Sequence, residues 1–107
     1  MNFDPHQLYE KITKAGEEWA DAEAAASLLE ETRKSVLAKL MNECAAPTAA
    51  AKEMYALADD KYKAFVEGMV APRKTANAKR VRYDSAKIFA ELRRSQESTK
   101  RAEMNIR

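Results

Sequence analysis

Between Leu8 and Leu40 apolar residues return at alternating intervals of four and three: Leu8, Ile12, Ala15, Trp19, Ala22, Ala26, Leu29, Arg33, Val36 and Leu40, with Arg33 the only charge among them. This is the spacing of a coiled-coil seam. It predicts one long helix over about 5–44 whose narrow apolar strip must be covered by another helix. Asp4-Pro5 starts it: the carboxylate accepts from first-turn N–H groups, and proline fills a position where no donor is needed. Phe3, ahead of the cap, is placed to staple onto Gln7 or Leu8. Gly16 interrupts the seam at a cost of about 1 kcal/mol relative to alanine, so it marks either a close helix approach or a hinge. Pro47 disfavours helix in the residue before it, and Thr48 can cap a short helix over about 49–58 whose Met54, Tyr55 and Leu57 should face the long one. Asp59-Asp60 is placed to cap a last helix over about 61–104.

That last helix carries two stripes. Tyr62, Phe65, Val66 and Met69 share a face; further on, Ala78, Val81, Ser85, Ile88, Leu92, Ser95, Thr99, Ala102 and Ile106 again step by three and four. The stripes are out of phase, which predicts a kink or register shift between them. Pro72 sits in the gap, lacks a donor and presses on the carbonyl of Gly68; a true break over 68–72 is the alternative. Antiparallel pairing of the long helices would bring Leu40 near Phe65, Trp19 near Ile88, Leu8 near Ser95 to Thr99, and Ala22 and Ala26 across from Arg80 to Tyr83. The expected fold is all-α: a single domain over 1–107, an antiparallel helical hairpin or coiled coil of two long helices joined by a short one. Large apolar side chains are few and strung along thin seams, so self-association, with a dimer favoured, is expected as well.

Composition agrees with long helices: 34% of residues are charged, with only two glycines and three prolines. The single Cys44 excludes an internal disulfide and fits a reducing compartment. The N-terminal stretch is polar and acidic where a signal peptide is basic and then apolar, and no apolar run approaches the ~20 residues that span a bilayer. A cytoplasmic protein without membrane contact is the expectation. Catalysis has no visible seat. The lone His6 has no cysteine or histidine at ligand spacing, there is no glycine-rich phosphate loop, and no inward Glu-x-x-His pattern exists, so neither cofactor nor metal is expected.

Net charge is only +2, but it is unevenly spread. Residues 1–31 carry eight acids against two bases, and residues 71–94 carry eight bases against two acids. Arg73, Arg80, Lys87 and Arg94 recur every seven residues, flanked by Lys79 and Arg82. Such a stripe can follow a phosphate backbone, with Tyr83 beside it to stack on a base. Equally, these cations can pair with Glu17, Asp21 and Glu30 across the hairpin or a dimer. Glu10, Glu17, Glu18, Asp21 and Glu31 form an acidic face able to occupy the basic groove of a partner protein. Arg33 either pairs with Glu67 to fix register or snorkels to solvent. Trp19 reads as a core anchor, and Tyr9, off the seam, as a candidate oligomer contact.

Three segments, 18–26 (EWADAEAAA), 28–31 (LLEE) and 93–104 (RRSQESTKRAEM), resemble small uncharacterised helical proteins of tailed phages, of the kind found in early or recombination gene clusters. The resemblance implies a non-enzymatic protein that acts by binding in the host cytoplasm. It assigns no functional residue, and Pro72 departs from it. The expected roles are an accessory one in nucleic-acid transactions or recombination, a protein-directed inhibitor of a host nuclease or antiviral defence complex, or an oligomeric scaffold.

Overall fold

The computed structural model describes residues 4–106. The staple expected of Phe3 lies outside them. The described residues form four helices and no strand: α1 (Pro5–Glu43), α2 (Ala49–Ala58), α3 (Asp60–Gly68) and α4 (Val70–Ile106). The all-α helical hairpin expected from the sequence is the fold observed. The caps fall where side-chain chemistry puts them. Asp4 Oδ1 accepts from the backbone N–H of His6 at 2.9 Å, Thr48 Oγ1 from that of Ala51 at 3.1 Å, and Asp59 Oδ1 from that of Lys61 at 2.8 Å. Each satisfies a first-turn N–H that the helix itself leaves without a partner.

The expected kink is present as a single residue, Met69, between α3 and α4. The Met69 N–H turns to the carbonyl of Val66, a three-residue closure, and the four-residue ladder resumes with the Arg73 N–H on the Met69 carbonyl. Pro72 has no N–H to offer the Gly68 carbonyl, so the ladder has a missing rung there.

The chain divides into two compact units, Met1–Ala20 with Asn77–Arg107, and Asp21–Ala76. In the first, Trp19 of α1 stacks on Tyr83 of α4, ring centroids 5.7 Å apart and planes 25° from parallel. Gly16, one turn before Trp19, leaves the room for it: a Cβ there would lie 3.1 Å from Tyr83 Cε1. Close approach, not a hinge, explains this glycine, because α1 runs unbroken through it. In the second unit the deepest residues are small: Ala26, Ala56 and Ala76 are at most 2% exposed, and Leu40 is buried with them. Alanine on facing helices permits backbones to come close, which explains why a chain with so few large apolar residues still packs.

The α1 seam is as the spacing predicts: every position from Leu8 to Leu40 is covered or half-covered except Arg33. Arg33 and Glu67 are both exposed, so the register-fixing pair is not made, and Arg33 extends to solvent. The stripe on α4 departs from expectation. Ala78, Val81, Ser85, Ile88, Leu92, Ser95, Thr99, Ala102 and Ile106 are all exposed. The face that is covered or half-covered instead holds Pro72, Arg73, Ala76, Lys79, Tyr83, Ala86, Ala90, Arg93 and Glu97, which continue the α3 face of Tyr62, Phe65, Val66 and Met69 without a change of phase. The kink therefore interrupts the helix but does not shift its register. Trp19 consequently meets Tyr83 and not Ile88. On α2, Met54 and Tyr55 are 73% and 67% exposed and Leu57 is exposed too; Ala56, 2% exposed, is the residue turned inward.

The two glycines should respond in opposite ways to alanine. A Cβ added at Gly68 would meet nothing within 4 Å, and the residue has no positive φ, so Gly68→Ala should raise stability by about 0.5–1 kcal/mol through helix propensity. Gly16→Ala should lose that gain, because Tyr83 is held by Trp19 and must yield. Paired thermal melts of the two variants measure the difference.

Candidate interaction surfaces

Arg73 makes three side-chain hydrogen bonds to carboxylates on another helix. It extends from the first turns of α4 toward α1, where Glu23 and Glu30 lie seven residues apart on one edge of the seam. Its Nε donates to Glu30 Oε1 at 2.7 Å and Nη2 to Glu30 Oε2 at 2.8 Å, while Nη1 donates to Glu23 Oε2 at 2.7 Å. The planar fork matches one carboxylate in two places and reaches a second, a geometry lysine cannot reproduce. Hydrogen bonding to Arg73 is the main cause holding both carboxyls below their ordinary value; Arg33 adds a smaller attraction on Glu30. The same bonds push the Arg73 guanidinium up. Arg73 is thus the clasp of the Asp21–Ala76 unit, and each of its three guanidinium nitrogens already donates to a protein carboxylate.

The remaining cations of the expected stripe divide in two. Lys79 is turned inward and lies 3.6 Å from Glu18, so it too is committed within the chain. Arg80 and Lys87 share Asp84, at 3.8 and 3.4 Å, and Lys87 Nζ stands 4.4 Å over the Tyr83 ring. Arg82 and Arg94 are exposed. The fold therefore leaves Arg80, Lys87 and Arg94 on one open edge of α4 and withdraws Arg73 and Lys79 from it. Tyr83 is not free to stack on a base, since it lies on Trp19 and Lys87 Nζ stands over its ring. Reading the sequence alone misses the Lys87–Tyr83 contact; its signal is the four-residue spacing of the two on one helix. Of the expected pairings, that with Glu30 is made, whereas Glu17 and Asp21 stay exposed.

On α1, Glu10, Glu17, Asp21 and Glu31 face solvent, and Glu18 is drawn toward Lys79. Glu10 additionally lies 2.9 Å from His6 Nε2. The acidic face is thus intact but for Glu18.

The longest row of exposed large apolar side chains is the outward stripe of α4. Val81, Ile88, Phe89 and Leu92 are 56–63% exposed and Ile106 is 86% exposed. Val81, Ile88, Leu92 and Ile106 follow one line along the helix, with Phe89 on its edge, and do not stand singly, which is what distinguishes an association surface from ordinary scattered exposure. A shallow open groove also lies within the first unit, between Leu8, Tyr9 and Ile12 of α1 and Ala90, Arg94 and Arg101 of α4. No group of three His, Cys, Asp or Glu among the described residues is placed to hold a metal ion. Cys44, half-buried, accepts from the Ala46 N–H at 3.4 Å. Among the described residues no helix is long and apolar enough to cross a membrane.

Replacing Arg73 with methionine should lower stability at neutral pH, because it leaves Glu23 and Glu30 facing each other without their counter-charge. Both carboxyls titrate lower in the folded chain than the ordinary value of 4.5, so the clasp contributes fully above that value and is lost as pH falls through the folded values. Urea midpoints measured across the acid range should show the gap between wild type and Arg73→Met constant above about pH 5 and closing below about pH 4. Trp19 tests the aromatic stack. Its Nε1 is buried without a hydrogen-bond partner, so Trp19→Phe, which keeps a ring and removes the orphan donor, should stay within about 1 kcal/mol of wild type. Trp19→Ala should lose about 3 kcal/mol in the same denaturation assay.

No protein-family model, curated protein or solved structure matches this chain.

Proposed function

We propose that this protein is a non-enzymatic helical binding protein of the scaffold type, and that its working surface is the outward face of α4. One observation carries the reading: a full coiled-coil row, Val81 to Ile106, is left uncovered by a chain that uses its remaining seam residues for packing. A helix that packs on one face and carries an apolar row on the opposite face has a use for two neighbours. The hairpin supplies one of them. The row is narrow and regular, which suits a helix as partner more than a flat surface or a small molecule.

A second reading follows from the open cationic edge of Arg80, Lys87 and Arg94, continued by Arg101: a nucleic-acid backbone laid along α4. Asp84 sits between the first two and compensates both, which weakens that edge relative to the apolar row beside it. The acidic face of α1 supports an inhibitor of a basic groove in the same secondary sense.

Two variants separate these readings. Immobilised wild-type chain should capture its partner from a lysate of the cell that makes it, and Ile88→Asp/Leu92→Asp should lose at least nine-tenths of that capture while Arg80→Gln/Arg94→Gln/Arg101→Gln retains it. Fluorescence anisotropy with labelled single- and double-stranded oligonucleotides at low salt tests the rival; tight binding abolished by the three glutamines would replace the first reading with the second.

A further inference from the structure

We infer that the uncovered row of α4 is a self-complementary seam, and that its occupant is α4 of a second copy of this chain, running antiparallel about a twofold axis near Arg93 and Arg94. The inference rests on the reading that this face is the working surface, and it names the partner. Repeated steps of three and four from Val81 to Ile106 demand a helix with the same repeat, because each knob needs a hole made by four residues of a matching helix.

The edges of the row select orientation. Along one edge the flanking residues are Arg82, Phe89, Gln96 and Glu103, basic at one end and acidic at the other. An antiparallel copy sets Arg82 opposite the second copy's Glu103, and by symmetry this happens twice. A parallel copy pairs neither. The other edge carries Asp84 and Glu91, which in the antiparallel register meet Asn105 and Ser98, so no like charges are opposed.

The layers fit in that same register. Val81 lies opposite Ile106, Ser85 opposite Ala102, Ile88 opposite Thr99, and Leu92 opposite Ser95, so the central large side chains meet small ones, and one layer of two small residues separates them from the larger pair that closes each end. Thr99 already donates its hydroxyl to the Ser95 carbonyl at 3.0 Å. It can be covered without leaving a donor unsatisfied, which would otherwise disfavour a hydroxyl in such a seam. Ile88, Phe89 and Leu92 are more than half exposed in the single chain, so covering them breaks no internal contact.

Sedimentation equilibrium of the full chain should return twice the 12.1 kDa of one copy. Ile88→Asp/Leu92→Asp should sediment as one copy with its helical circular dichroism unchanged. Charge reversal offers a variant that cannot be mistaken for misfolding: Arg82→Glu or Glu103→Arg alone should weaken the dimer several-fold, and the two together should restore it. A spin label at Arg80→Cys, in a Cys44→Ser background, should report a separation of about 40 Å between copies, from the 1.5 Å rise per residue in the antiparallel register. A wild type that stays single at high micromolar concentration, a dimer that survives both aspartates, or a label separation below about 20 Å each overturns the pairing. A single-copy wild type whose partner capture is still lost with Ile88→Asp/Leu92→Asp removes the self-pairing alone and leaves the working surface in place.

Discussion

The hairpin depends on how few atoms it has with which to hold two long helices together. Where α1 and the start of α4 meet, the interior is alanine, and the grip comes from the rim: one guanidinium clasping two carboxylates set a heptad apart. Alanine seams give close approach but little area, so they leave the relative rotation of two helices weakly determined. The Arg73 fork, with three short hydrogen bonds to groups fixed on one helix edge, determines it within the Asp21–Ala76 unit.

The other unit selects its inward face by contacts of its own. Lys79 reaches Glu18, Tyr83 lies on Trp19, and Gly16 is the site that makes room for the ring. The face carrying Val81, Ile88 and Leu92 is then necessarily outward. A more apolar interior was available in the sequence. Adopting it would have left Trp19 without an aromatic partner and, had the same face turned inward at Arg73, Glu23 and Glu30 without their counter-charge. The chain covers the mixed face and leaves the more apolar one open.

Charge follows the same division. Much of the basic run is already engaged: Arg73 and Lys79 serve the hairpin, Arg93 lies beside Glu97, and Arg80 and Lys87 are tempered by Asp84. A heptad of cations in a sequence therefore indicates a row on a helix, not a free electrostatic surface, until the side chains opposite are known. The acidic residues of α1 behave alike. Glu23 and Glu30 face inward to the clasp, while Glu10, Glu17, Asp21 and Glu31 are open to solvent on the same helix.

Local chemistry was enough to determine the helices themselves. Asp4, Thr48 and Asp59 begin them and Pro47 and Pro72 interrupt them, because caps and proline act on the nearest few bonds and need no tertiary context. The α1 seam was equally legible, since an unbroken repeat over ten positions has one apolar edge and a single charge on it. The α4 face was not. Two edges of that helix carry the three-four spacing, and periodicity ranks them only by hydrophobicity; it cannot weigh a forked ion pair, a glycine notch or an aromatic stack that form only when a distant helix arrives. The same limit hid Ala56 behind Met54 and Tyr55. Which helices exist was decided by neighbours in the chain, and which way they face was decided by partners in space.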